Sequence, residues 1–531
     1  MGRGFFKIIL CMAVLLCLCS EAFGLAESTG PGGSNAQAIA TACQNADGIK
    51  VGLLGGQNVL TSHEAFSGMT LVNHAAPGLT VLTGWHDTIA AGIIAAQPGT
   101  SHPDDIGIAP GAEIHSMRIS NNLNVLTGLD SLVTTYNCRV IASVYSLSGI
   151  DNDGDSDVTL RYDYHAYNNN VIFANPAGQH PDFNIPGDSY NAIVTAGIKL
   201  KDVNDEYDYR MIGGESLSGL TLDGRRKPDI AGPSAAQTVP TTWDGVTASW
   251  TNTNGVGGSS GATSWSTPHT AGVAALLLKF ADGTAEPDDG RNVVIKSVIV
   301  NSTFPNIDDK TGSSTNPADS ANTWQADRGY GRIDALRAYQ ILSANRVARD
   351  VDITAEKGWA YETVAATEPH NYFIWCERNQ RLVVTTTWSR RVNKQGPNYN
   401  PESEPRFDLD ITIVDPNGQT VPLVNDAINN LIKADILIAE DGYYHVELVN
   451  SSDKTNRTYA MAFELLDPIA GDLYPADYIV DYNDIDILTG QWLLSGTGYE
   501  ADIVVDANVN FFDFAELSQH WFEIDPAYYN P

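Results

Sequence analysis

The chain has 531 residues, of which 64 are acidic and 31 basic, a net charge of −33, with 43% hydrophobic and 9% aromatic side chains. That length holds three or four domains with large cores and no need of covalent staples. The surplus of negative charge excludes nucleic acid and anionic membrane surfaces as main partners, because both require clustered cations; solubility and divalent cations remain as its uses.

Residues 1–24 read as an export signal. Arg3 and Lys7 precede an apolar run over 8–19, and Ala22-Phe23-Gly24 offers small residues before a cut near Leu25. The run is too short to span a bilayer, and no later stretch of about eighteen apolar residues follows it. The mature chain is therefore expected outside the cytoplasm, secreted or at the cell surface, without a transmembrane segment. It keeps Cys43, Cys138 and Cys376. An odd number permits at most one internal pair, and the spacing suits neither a metal site nor a disulfide framework; they read as small buried hydrophobes, with their pairing left open.

From 25 to 348 short apolar runs (51–54, 140–145, 171–174, 192–196) alternate with helical stretches (86–96, 158–167, 267–280, 293–300). That texture predicts an α/β domain with a mainly parallel sheet. From 349 to 468 alternating strands such as 381–388, 409–414 and 443–449 predict an antiparallel β-sandwich. From 469 to 531 the chain repeats itself with a period of 29: Asp477, Asp481, Asp484 and Trp492 return as Asp506, Asn510, Asp513 and Trp521. Each repeat is an acid-rich loop followed by a short apolar helix, the sequence pattern of an EF-hand-like calcium module.

The sharpest motif is Gly261-Ala262-Thr263-Ser264-Trp265-Ser266-Thr267-Pro268-His269-Thr270-Ala271-Gly272. A serine at the start of a long apolar helix sits where free N–H groups and the helix dipole favour negative charge. Pro268 suits a first helical turn, and a plain helix cap fits the same residues. A second motif lies upstream, His86-Asp87-Thr88-Ile89-Ala90-Ala91-Gly92. A histidine has the pKa of a general base near neutrality.

These segments resemble the subtilisin family of serine peptidases, in which the motifs run Gly-Thr-Ser-Met-Ala-x-Pro-His-x-Ala-Gly and His-Gly-Thr-His-Val-Ala-Gly. Gly107-Ile108-Ala109-Pro110 and Lys227-Pro228-Asp229-Ile230-Ala231 fit the same family in order. The resemblance implies a three-layer α/β fold, a polypeptide substrate, Ser264 as nucleophile and His86 as base. It places Gln179, in Pro176-Ala177-Gly178-Gln179, where the family has an asparagine as oxyanion donor. It also makes Ser146, Leu147 and Ser148 the strand that lines the substrate cleft. The family's third member, an aspartate, ends the first core strand, and here that position holds Gly55. Asp47 precedes the strand, and eight extended residues put it about 25 Å away. Asp87 neighbours His86, but successive residues at a helix start point in different directions, so it is expected to miss the ring. The expected protein is thus a peptidase lacking its triad aspartate and slowed by roughly four orders of magnitude. The alternative is an inactive pseudoprotease, a polypeptide-binding or surface-tethered scaffold.

Residues 386–389, 408–411 and 415–418 resemble the C-terminal sandwich of certain alkaline subtilases. The terminal repeat resembles a type I dockerin, which implies calcium and a cohesin-type partner. Asp502, Asp506, the Asn508 carbonyl, Asn510 and Asp513 are its second-loop ligands; Asp477, Asp481 and Asp484 belong to the poorer first loop. A further acidic run, Asp151, Asp153, Asp155 and Asp157, has carboxylates at alternate positions that suit either a calcium ion or solvent.

Overall fold

The computed structural model describes residues 25–519 apart from 31, 179–184, 203–204, 212–219, 236, 254–261, 306–323, 403–408, 424–427, 452–455, 468–469, 474–479, 481, 497–498, 500 and 505–506. Two short helices, α1 (Leu25–Thr29) and α2 (Gln37–Ala40), lead into the first strand, β1 (Lys50–Gly55). The chain then alternates through β2 (Leu71–Ala75), α3 (Trp85–Ala95), β3 (Glu113–Arg118), α4 (Asn122–Thr134), β4 (Val140–Ser143), α5 (Asp157–Asn169) and β5 (Ile172–Pro176). It continues with β6 (Ile193–Asp202), β7 (Asp205–Met211) and β8 (Ile230–Pro233). These strands form one eight-stranded sheet in the order β2-β3-β1-β4-β5-β6-β7, with β8 also on β6. Every pair is parallel except β6 with β7.

The alternation of side chains along each strand feeds two cores. Val51, Leu53, Val140, Ala142, Ile172 and Ala174 join the cluster that holds α3 and the long helix α6 (Thr263–Asp282). Their immediate neighbours Leu54, Ile141 and Phe173 join Val125, Leu129, Val158 and Tyr162 of α4 and α5 on the other face. A sheet covered on both faces is what unbroken apolar strands require. The result is the expected three-layer arrangement. α6 begins four residues before the expected Thr267, and Pro268 lies inside it rather than in its first turn. The missing N–H at Pro268 leaves the Ser264 carbonyl, in the first turn, without its helical partner.

A hairpin of β9 (Thr238–Thr241) and β10 (Ser249–Asn252) precedes α6, and α7 (Asn292–Asn301) and α8 (Ala335–Ser343) follow it. Two further sheets come next. One has the order β11 (Asp352–Ile353), β13 (Pro369–Cys376), β20 (Gly442–Asn450), β17 (Leu409–Val414), β18 (Thr420–Val421). The other runs β12 (Lys357–Val364), β21 (Arg457–Leu466), β14 (Arg381–Trp388), β19 (Leu431–Leu437), and β15 (Val392–Gln395) pairs with β16 (Asn398–Pro401) apart from both. The two sheets share a core that includes Tyr372, Ile374, Val384, Ile413, Val446 and Phe463. The second sheet also leans on the α/β domain. Trp359, Leu431, Ala460 and Ala462 lie in the same apolar cluster as α6, α7 and α8. Buried polar contacts reinforce this seam: Lys433 Nζ donates to the Val300 and Asn301 carbonyls at 3.0 and 3.1 Å, and Arg337 pairs with Glu464 at 2.6 Å.

The acidic run over 151–157 has a part in that seam. Arg390 is buried, donates to the Gly154 carbonyl at 2.6 Å, pairs with Asp155, and lies 3.5 Å from the buried Asp163. Asp155 is thereby committed to an arginine. Among the described residues Cys43, Cys138 and Cys376 are buried and unpaired, and burial pushes each thiol up to about 12. Two last helices, α9 (Tyr482–Gly490) and α10 (Phe511–Gln519), close a small core of Leu473, Val480, Leu488, Ala501, Val509 and Leu517.

Candidate active site

The site forms where β1 ends and where α3 and α6 begin. His86 is the second residue of α3, with its side chain 24% exposed, and Asp87 follows it fully buried. The expectation that Asp87 misses the ring does not hold: Asp87 Oδ1 lies 3.1 Å from His86 Nδ1. Its other oxygen accepts from the Gln57 backbone N–H at 3.1 Å. The reason is Gly55. A Cβ built there would lie 2.3 Å from Asp87 Oδ2, 2.5 Å from Oδ1 and 2.7 Å from Cγ. The carboxylate fills the space at the strand end that a side chain on residue 55 would need. Side chains at a helix start lean back toward the N-terminus, which brings both residues 86 and 87 over the end of β1.

Gln57 completes the arrangement and escaped the sequence reading. Its Oε1 accepts from the His86 backbone N–H at 3.1 Å, satisfying one of the free donors of the first turn. Gly84 precedes the helix in extended conformation, and a Cβ on it would come within 2.1 Å of the Gln57 amide. The pair of glycines at 55 and 84 was the available signal, because each leaves room for a side chain from another element. Burial pushes the Asp87 carboxyl above its ordinary value, while the bonds from His86 and the Gln57 N–H pull it back. An ionised Asp87 can only accept, which requires the imidazole proton on Nδ1 and leaves the lone pair on Nε2.

Ser264 is the second residue of α6 and half-buried. Thr263, Ser266 and Thr267 beside it all spend their hydroxyls on backbone carbonyls, those of Gly178, Thr263 and Thr263. Among the described residues the Ser264 hydroxyl has no such partner. The next residue, Trp265, is buried, with its ring centroid 4.9 Å from that of His86. Nucleophile candidate and imidazole thus lie on the two helix starts that meet at this tryptophan. No hydrogen bond joins Ser264 to His86 among the described residues; such bonds often close only around substrate.

Gln179 lies outside the described residues. Its neighbour Gly178 accepts from the Thr263 hydroxyl of α6 at 3.3 Å, which brings residue 178 to the same helix start. Leu147 bridges to Ile185, and Ser146 and Ser148 on either side of it are exposed. Trp85 stands between Trp265 and Trp243, 6.0 Å from each, and Trp243 is 58% exposed. The three tryptophans make an apolar shelf beside His86, whose ring centroid lies 5.4 Å from that of Trp85.

Of the calcium ligands, Asp477, Asp481 and Asp506 lie outside the described residues. Asp484 is buried and accepts from Leu473 N–H at 2.7 Å. Asp513 gathers the N–H groups of Val504 and Asn510, Asp502 takes that of Ala507, and the Asn508 carbonyl accepts from Asn510 Nδ2. The second loop therefore folds around its own oxygen donors, a set that fits a hard cation in kind. Among the described residues no three His, Cys, Asp or Glu side chains stand together as a metal site.

Residues 73–331 match the model of the subtilase family, peptidase S8, a span that contains His86, Asp87 and Ser264 and begins beyond β1. This part of the chain is a subtilase domain. Membrane-bound transcription factor site-1 proteases of Rattus norvegicus and Cricetulus griseus are each 27% identical over 270 residues, covering 49% of this chain and 22% of theirs. The chain therefore matches less than a quarter of those relatives' length. Among solved structures, the prenylagaramide maturation protease PagA is 19% identical with a TM-score of 0.41, covering 58% of this chain and 98% of its own. Sphericase is 18% identical with a TM-score of 0.41, covering 54% and 92%. Among the described residues no helix is long and apolar enough to cross a membrane.

Proposed function

We propose that the chain is an exported serine endopeptidase whose triad is Ser264, His86 and Asp87, the carboxylate coming from the residue after the histidine instead of the strand end. The observation that carries this reading is the 3.1 Å contact of Asp87 with His86 Nδ1 over Gly55. The reading restores the third member that the sequence appeared to lack, so the four-order penalty of a missing carboxylate no longer applies.

In the cleft, polypeptide lies along residues 146–148 with the scissile carbonyl at Ser264. His86 Nε2 takes the hydroxyl proton as Oγ attacks, and Asp87 holds the tautomer and stabilises the imidazolium. The first N–H groups of α6, unpaired within the helix, face the developing oxyanion, with Gln179 as the side-chain donor. The tryptophan shelf favours apolar substrate residues next to the scissile bond. Residues 1–24 direct export. The C-terminal repeat is a dockerin-type module that binds calcium and tethers the enzyme to a cohesin-type partner, which places it in the medium or at the cell surface.

A polypeptide-binding role without turnover is the competing reading, favoured by the open Ser264–His86 contact. A fluorophosphonate probe separates the two. It should label folded protein at Ser264, located by peptide mass, and Ser264→Ala should remove the label. Folded protein that stays unlabelled at high probe concentration would refute the peptidase.

A further inference from the structure

Leu25, the first residue after the expected signal, is fully buried and belongs to the apolar cluster of α3 and α6. Its backbone nitrogen donates to Asp105 Oδ1 at 2.6 Å. Asp105 is only 7% exposed, and its second oxygen lies 2.8 Å from His102 Nδ1. No lysine or arginine reaches this carboxylate among the described residues. A buried carboxylate without a permanent cation is costly, because the charge has left water without a full counter-charge. The nitrogen already seated against it is the group of the retained chain whose charge changes on processing. In an uncut chain it is a neutral amide with a single N–H. Once water adds across the Gly24–Leu25 bond, Gly24 carries the new carboxylate and Leu25 an ammonium with three donors.

We propose that Leu25 is the mature N-terminus and that its α-ammonium forms a buried ion pair with Asp105, so that removal of the leader by an export peptidase completes the fold of the domain. The idea rests on the export reading and is independent of whether Ser264 turns over. Its location gives it reach. His102, the other partner of Asp105, stacks on Trp250 with ring centroids 4.2 Å apart. Trp250 belongs to β10, the strand before the chain enters α6. The pair thus anchors the N-terminal segment beside the hairpin that leads to the nucleophile.

Two measurements test it. Full-length chain exported from a bacterial host should begin at Leu25 by intact mass; a mature chain starting elsewhere would overturn the proposal. In parallel, the chain is released from a cleavable fusion so that Leu25 comes first, and compared with a version carrying Met-Gly ahead of it. The Leu25-first protein should melt higher by about 2–4 °C, and the advantage should vanish in Asp105→Asn. An equal offset in both backgrounds, or none in the wild type, would sink the ion pair. Should Asp105→Asn fail to fold, amine acylation at neutral pH decides: the Leu25 amine should resist modification in native protein and react on unfolding. Free reaction in the native state contradicts the pairing.

Discussion

The carboxylate of Asp87 and the bare α-carbon of Gly55 share one volume: a Cβ on residue 55 would come within 2.3 Å of Asp87 Oδ2. Residue 55 and residue 87 are therefore alternatives for one place beside His86 Nδ1, and only one of them can carry an acid there.

That exclusion makes a sharp mutational test. Gly55→Asp alone should lower both activity and melting temperature, because two carboxylates would compete for one buried space. Asp87→Asn should reduce kcat on a fluorogenic peptide by about 10⁴-fold, the loss seen when a triad aspartate becomes an amide. The double variant Gly55→Asp with Asp87→Gly should recover much of that loss. A double variant as inactive as Asp87→Asn would place the functional carboxylate elsewhere.

Acid stability should carry the mark of His269. It is fully buried in α6, with Nε2 2.9 Å from Gln237 Oε1, and burial pushes its imidazole down to about 3. In the unfolded chain the group titrates near 6.5. Between those values the unfolded state takes up a proton that the native state refuses, so stability is lost as the pH falls from about 6.5 to about 3. Melting curves at pH 7 and pH 4 should show wild type falling further than His269→Gln, so that the gap between them narrows in acid. A gap independent of pH would remove His269 from the account.

The seam between the α/β domain and the sheets beyond residue 348 should behave as one cooperative unit. Arg390 is fully buried against Asp163, and burial pushes the Asp163 carboxyl up while Arg390 pulls it back. Arg390→Met strands that charge and should cost about 3–5 kcal/mol in urea unfolding. Adding Asp163→Asn should return part of it. Two separate unfolding transitions in the wild type would show that the seam does not couple the halves.

Calcium titrated into chelator-treated protein should give a saturable heat. Asp513→Ala should abolish the second-loop component, since Asp513 gathers the N–H groups of Val504 and Asn510 as well as offering oxygens. A wild-type chain that gives no heat would end the dockerin reading.

The alternation of apolar runs and helical stretches carried the three-layer sheet, because each strand's period of two directly encodes which core a side chain enters: Val51 and Leu53 to one, Leu54 to the other. Ser264 and His86 were legible because local motifs surround them. The partner of His86 was not, since it depends on what residue 55 lacks and on how α3 starts over β1, neither of which is a local pattern. Helix limits around Pro268 were misjudged because the proline was taken as a first-turn residue, whereas it sits further inside the helix. The acidic run at 151–157 suits an ion or solvent equally in sequence, and only Arg390, more than two hundred residues on, shows what Asp155 is committed to.

Placing the acid next to the base in sequence has a mechanical consequence. A carboxylate at a strand tip keeps its aim only while sheet and helix hold register, so breathing between layers would detune it. Here the two groups hang from consecutive α-carbons of one helical turn, and they travel together. Thermal or ligand-driven slippage of α3 against β1 would leave their mutual bond intact, and would instead be felt by Gln57, which follows β1 in the chain and holds α3 through both its bonds.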